Sequence, residues 1–267
     1  MTRSRWFFAG LVVALALTLL FLFLPVLAIF LNTSPGKLVS SLGDTSSTDA
    51  LRLSLECSLT AVAIIVAVGT PAAYLLATRS FPGRSVCVTV VELPLVLPPA
   101  VAGIGLLAAL GPHGILGSLI EDTGIQLVFA TAGVIVALTF VSAPFYIRQA
   151  QAAFEAADRN LLDASRTLGA SEGRTWLRIA IPAARHGLAA GLALSFGRAL
   201  GEFGATLMFA GSFQGVTQTA PLAIYQRFAT DFTGALALSA VLVAVSGALL
   251  LGVKLVSGAS PLGSAAR

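Results

Sequence analysis

The sequence predicts an all-α membrane protein with six transmembrane helices. Three observations predict it. Hydrophobic residues fill 57% of the 267 positions, charged residues only 10%, and the mean hydropathy is +0.92. A soluble domain of this size needs a polar surface that such a composition does not supply. Six apolar runs are each long enough to cross a hydrocarbon core, which takes roughly 20 helical residues. None of the runs shows the alternation of membrane-barrel strands, so helices must satisfy the backbone. One domain over residues 1–267 is expected.

The first run, Trp6 to Leu31, is too long for the apolar core of a secretory signal, about 7–15 residues. No small-x-small cleavage site follows it, so a retained helix is expected. Asn32 to Arg52 is rich in Ser, Thr, Gly and Asp and reads as a loose outer loop. The second run is Leu53 to Leu76. Ser80-Phe81-Pro82-Gly83-Arg84 then makes a tight inner turn.

The third run, Val86 to Leu110, contains Glu92-Leu93-Pro94-Leu95-Val96-Leu97-Pro98-Pro99-Ala100-Val101-Ala102-Gly103. Its prolines remove backbone donors and oppose regular helix. Lipid-facing backbone does not stay unpaired, so the break should face protein or a water-filled path. A discontinuous, pore-lining helix is expected, with Pro98, Pro99 and Gly103 as gate candidates. Gly103 and Gly105 permit close helix approach. Glu92 is expected either to cap the amides of the broken segment or to take a role in transport. The outer segment Gly111 to Gln126 carries apolar pairs that fit short interfacial helices.

The fourth run is Leu127 to Tyr146. A polar loop follows, from Arg148 to Arg185, with six arginines. Phe154 to Leu168 favours helix. Leu161, Ala164 and Leu168 recur at i, i+3 and i+7, on one face. Asp163, Arg159 and Arg166 lie off that stripe. Gly169 suits a left-handed helix end. Pro182 sits where a new helix would begin.

The fifth run, Gly187 to Phe213, holds Arg198 and Glu202 mid-span. A charge there costs about 2.5–3.5 kcal/mol on insertion scales. Two at i, i+4 are expected to pair or to tuck into a subunit interface, leaving Thr206 and backbone donors nearer the path. After an outer segment, Gly211 to Asp231, the sixth run is Ala235 to Val256. The tail beyond it is short, and no appended regulatory domain is expected.

Arg3, Arg5, Arg79, Arg84, Lys254, Arg267 and the arginines of the long loop fall at one set of helix ends. Lys37, Arg52 and Arg227 fall at the other. The positive-inside rule puts both termini and the long loop in the cytosol. The same rule accounts for the basic residues without nucleic acid. Cys57 and Cys87 lie on opposite membrane sides, so no disulfide is expected. No Cys–His cluster suggests a metal, and His113 and His186 are isolated.

The long loop resembles the signature loop of ABC-importer permeases. That pattern runs Glu-Ala-Ala, three residues, Gly, nine residues, Ile, one residue, Leu-Pro. Asp163, Ala164 and Ser165 stand for its opening; Gly169, Ile179 and Pro182 fall at its spacing, and Ile181 replaces Leu. The resemblance implies the type I ABC-importer permease fold. It also implies that Leu161, Asp163, Ala164, Ser165, Leu168, Gly169, Ile179 and Pro182 form a coupling helix docked on an ATP-hydrolysing partner. The chain has no Gly-x4-Gly-Lys-Ser/Thr phosphate loop. ATP-Mg is therefore expected on a dimer of partner ATPases, and no cofactor or catalytic residue on this chain.

Arg198 to Ala210, Thr217 to Tyr225 and the Leu-Pro-Leu-Val-Leu-Pro-Pro run look like the molybdate/tungstate branch, with sulfate/thiosulfate permeases as relatives. The resemblance implies a homodimer in membrane lipid. A separate extracytoplasmic oxyanion-binding protein would capture the anion. Pore candidates are then Pro98, Pro99, Gly103, Arg198, Glu202 and Thr206. The alternatives are an ion-coupled secondary transporter, with Glu92 and Glu202 as its only candidate ion sites, and a membrane-embedded enzyme, for which His113 and His186 are too isolated.

Overall fold

A computed structural model describes residues 2–256. Arg267 and the tail after Val256 lie outside the described residues. In chain order the helices are α1 (Thr2–Leu31), α2 (Pro35–Gly43), α3 (Thr45–Thr78), α4 (Arg84–Val96), α5 (Pro99–Leu110), α6 (Gly117–Glu121) and α7 (Thr131–Glu155). They continue with α8 (Arg159–Thr167), α9 (Glu172–Thr175), a π-turn (Trp176–Ala180), α10 (Ile181–Leu200), α11 (Gly204–Ala210), α12 (Ala220–Phe228) and α13 (Phe232–Val256). No strand occurs among the described residues. Five helical stretches among the described residues are long and apolar enough to span a membrane, and α4 with α5, bent by 119°, brings the number to six if the bent pair is one span.

The centre of the bundle is α3 and α10 packed on either side of α7. Small residues let them approach. A Cβ on Gly69 of α3 would lie 3.2 Å from the Tyr146 ring, and one on Gly191 would lie 3.2 Å from the Tyr146 carbonyl oxygen. Tyr146 is thus held between two glycines, buried, with its hydroxyl 2.7 Å from Thr70 Oγ1. A buried tyrosine needs such a partner for its hydroxyl. Gly187 meets Ala153 in the same way further along α10.

The outer loop read over Asn32 to Arg52 is mostly helix. Ser34 caps α2 with Pro35 at its first turn, and Asp44 caps α3 through the Ser47 amide at 3.3 Å. Two cap residues among polar neighbours start helices that an apolar count does not see. The outer segment after α5 contains α6, a short helix as expected.

The charged groups segregate by bundle end. At one end Arg84 pairs with Glu155 at 2.9 Å, Arg79 with Glu172 at 3.5 Å, and Arg166 with both Asp163 and Glu172 at 2.9 Å. At the far end of α3, Arg227 pairs with Asp44. Cys57 is buried, Cys87 is exposed, and both are free.

Candidate functional site: a coupling helix and two broken spans

The arginine-rich loop folds as helix, turn, helix. Asp158 accepts the Asn160 amide at 2.9 Å and starts α8. The expected helix from Phe154 is therefore two pieces: Phe154 lies in the last turn of α7, buried against Tyr74 with ring centroids 5.3 Å apart, and α8 begins at Arg159. Gly169 closes α8 with φ +83°. Its amide bonds to the Arg166 carbonyl at 2.9 Å, and the Ala170 amide bonds to the Ser165 carbonyl at 3.1 Å. That pair of bonds is the Schellman arrangement, which satisfies carbonyls otherwise orphaned at a helix end.

Helix α8 has two unlike faces. Leu162 and Ser165 point inward. Leu162 joins a cluster with Ile65, Tyr146 and Phe154, and the Ser165 hydroxyl lies 2.9 Å from Thr175 Oγ1. Leu161, Ala164 and Leu168 point outward, with Leu161 52% and Leu168 88% exposed. The inward residues dock α8 on the bundle and leave the leucine stripe without a partner in the protomer. Ser165, grouped with the stripe by its place in the signature, belongs to the other face. Asp163 is exposed beside Arg166.

Pro182 lies in the first turn of α10, where the sequence places it, but α10 continues a helix already begun. The second helix starts at Glu172, where Ser171 accepts the Arg174 amide, and runs to Leu200 as one 29-residue span. The π-turn accommodates the proline: the Ile181 amide bonds to the Trp176 carbonyl, five residues back. An added residue in the turn widens the backbone where the proline ring would strike an α-helical carbonyl. Ile179 packs on the core and Pro182 is exposed.

The third span breaks where its prolines predict. Pro98 is extended at φ −54° and ψ 136°, and Pro99 opens α5. Both prolines are exposed. Glu92 lies inside α4, well short of the break, so it caps nothing. Its carboxylate is 2.8 Å from Arg148 of α7.

The fifth span is also broken, which its composition did not announce. Helix α10 ends at Leu200; Gly201, Glu202 and Phe203 are non-helical, and α11 follows. Glu202 is 1% exposed and bridges the gap. One carboxylate oxygen is 2.5 Å from the Arg198 guanidinium, and the other accepts the Ala205 amide at 2.6 Å. The acid thus pairs with α10 and satisfies an amide of α11, where negative charge suits a helix N-terminus. Gly201 and Gly204 flanking a mid-span acid were the available signal.

The two breaks meet. A Cβ on Gly204 would lie 2.8 Å from Pro99 Cβ, and one on Gly103 would lie 2.7 Å from both the Ala205 carbonyl oxygen and Met208 Cβ. Ala102, Leu106, Ala205 and Phe209 then share one buried cluster with Ala137 and Val141 of α7. Gly105 has nothing near it, so only Gly103 makes the close approach read for both. Thr206 is fully buried with its hydroxyl unpartnered, rather than open to a path.

A continuous helix thus runs from the α8 turn to the Glu202 clamp, and a packed contact leads from there to α5. The family comparison decides its context. Residues 65–256 match the model of the binding-protein-dependent transport system inner membrane component. The chain belongs to this family. Members are permease subunits of the inner membrane, and this chain is a multi-pass membrane protein of that kind.

The chain is 40% identical over 250 residues to the molybdenum transport system permease protein ModB of Mycobacterium tuberculosis, covering 93% of each. It is 35% identical over 208 residues to the sulfate transport system permease protein CysW of Synechococcus elongatus, covering 76% of this chain and 73% of that one. Its fold is similar to that of a bacterial ABC transporter that imports the acidic polysaccharide alginate, with TM-score 0.76, 18% identity and 97% of each chain covered.

Proposed function

We propose that this permease subunit carries molybdate or tungstate across the membrane, driven by ATP on a partner. The observation that carries the substrate reading is the 40% identity to a molybdenum permease over nearly the full length of both chains. Sulfate is the second reading, supported by the shorter match to CysW. The ATPase reading rests on the unpartnered leucine stripe of α8 at the arginine-rich end.

In this account two copies of the chain form the path, each with both termini in the cytosol, and α1 leaves its apolar surface to lipid and the second copy. Leu161, Ala164 and Leu168 enter a cleft of an ATPase subunit, which binds ATP-Mg. Asp163, Gly169, Ile179 and Pro182 set the shape of the docking element, and Ser165 fastens it to Thr175. Closure of the ATPases moves α8 and the continuous helix behind it. Glu202 and Arg198 pass that motion across the break to α11, whose contact with Pro99 and Gly103 moves α5. This is rigid-body coupling between two arrangements. An extracytoplasmic binding protein delivers the anion at the other face.

Reconstitution of the chain with its ATPase and binding protein tests the reading. Tungstate should compete with radiolabelled molybdate uptake far better than sulfate does. Equal or better competition by sulfate moves the assignment to the sulfate branch, and ATP-independent uptake refutes the importer reading.

A further inference from the structure

A polar cavity of about 200 Å³ lies at the end of α3 opposite the arginine-rich loop. Helix α3 has 34 residues, roughly 50 Å at 1.5 Å per residue, so the two ends are a membrane apart. Ser46, Gln214, Gln218, Gln226, Arg227 and Thr230 line it, with Ala223 as an apolar neighbour. Gln218 is only 5% exposed, and its amide nitrogen donates to Gln226 Oε1 and, at 3.5 Å, to Ser212 Oγ. Arg227 is anchored to Asp44, the cap of α3. A second opening, on the other side of α12, is lined by Phe203, Ile224, Tyr225 and Phe228 and is apolar. Polarity is thus confined to one side of α12.

We propose that this cavity is an entry site for a tetrahedral oxyanion, occupied between release from the delivering protein and passage to the α5–α11 gate. The inference rests on the importer reading above. Its lining suits such an anion. Amide and hydroxyl groups donate hydrogen bonds without fixed charge. Ser46, in the first turn of α3, adds a hydroxyl, while the Asp44 carboxylate already meets that helix N-terminus. Arg227 adds a guanidinium whose charge Asp44 offsets, so the site is attractive without being a trap. A cation would need carboxylates, and none lines the cavity. The position fits transit: the loop of residues 211–219 joins this cavity to the outer end of α11, the helix that touches Pro99 and Gly103 through its first turns.

The test uses the whole complex in proteoliposomes, measuring molybdate imported per ATP hydrolysed. Gln214 is exposed on the rim and takes no part in the bonds holding the walls. Gln214→Glu should lower the uptake per ATP roughly tenfold, the effect of a unit charge about 6 Å from a dianion in a water-like dielectric. Gln214→Lys should not lower it. Gln126→Glu, beside a different outer cavity, should act like the unaltered complex. ATP hydrolysis stimulated by the loaded binding protein should persist in all three. The inference is overturned if Glu and Lys at 214 act alike, if Gln126→Glu matches Gln214→Glu, or if hydrolysis falls along with uptake. No molybdate, tungstate or sulfate uptake by the unaltered complex overturns the importer reading and this inference with it.

Discussion

Glu202 reaches back 2.5 Å to Arg198 at the end of α10 and forward 2.6 Å to the amide of Ala205 in α11. A single buried carboxylate thereby joins two half-helices across a gap that Gly201 opens. The charges that composition marks as costly are the connection between α10 and α11.

Glu202→Gln keeps the shape and an acceptor for the Ala205 amide but leaves Arg198 without its counter-charge. Removing one partner of a buried pair costs about 3–5 kcal/mol. The cost here should fall below that range, because the Arg198 side chain retains 26% exposure. Thermal unfolding of the detergent-solubilised protein should show the loss, and transport should fall with it. Arg198→Met added to Glu202→Gln should recover part of the stability. Unchanged assembly and transport in the single variant would remove the clamp from the account.

Gly103 and Gly105 are two residues apart and should respond oppositely. Gly103→Ala places a methyl group against Ala205 and Met208, and overpacking of that kind costs about 1–3 kcal/mol. Gly105→Ala meets nothing in the protomer. Melting temperatures and uptake rates of the two variants check this. Equal effects would mean that the α5–α11 contact is not close.

Gly169→Ala puts a side chain at φ +83°, a left-handed conformation costing roughly 1–2 kcal/mol for an L-residue. The α8 turn should loosen while the membrane helices stay intact. Hydrogen exchange confined to residues 159–175 should rise. Exchange that rises across the bundle, or nowhere, would contradict a local Schellman closure.

The Asp44–Arg227 pair should make its end of the bundle acid-sensitive. The Arg227 hydrogen bond holds the Asp44 carboxyl below its ordinary value of 3.8. A depressed folded value means the contribution is present above 3.8 and is lost as pH falls through the folded value. Between pH 6 and pH 3 the unaltered protein should lose stability that Asp44→Asn, which keeps a capping oxygen, does not. Parallel curves for the two proteins would assign no role to the pair.

Much of the membrane fold is legible in the sequence because apolar length and proline are local signals. The runs mark the spans, and Pro98 and Pro99 mark the α4–α5 break. Gly169 marks the end of α8 for the same reason. The break at Gly201 has a weaker signal, two glycines flanking a mid-span acid, because glycine is tolerated inside membrane helices and it is the clamp by Glu202 that distinguishes it. Pro182 marks the first turn of α10, but the π-turn upstream lets the helix from Glu172 run through it. Ser165 falls in the signature beside Ala164, yet the helical period turns it inward to Thr175. The meeting of Gly103 with Ala205, and of Arg227 with Asp44, depends on packing between distant segments, which no local pattern encodes.

The proposed docking of the ATPase rests on the outward leucines of α8. Leu161→Asp with Leu168→Asp changes two exposed side chains and leaves Leu162 and Ser165 docked on the bundle. The decisive measurement is co-purification of the ATPase subunit with this double variant, beside its melting temperature. The account predicts loss of the ATPase at an unchanged melting temperature. Retention of the ATPase at the level of the unaltered protein would contradict it.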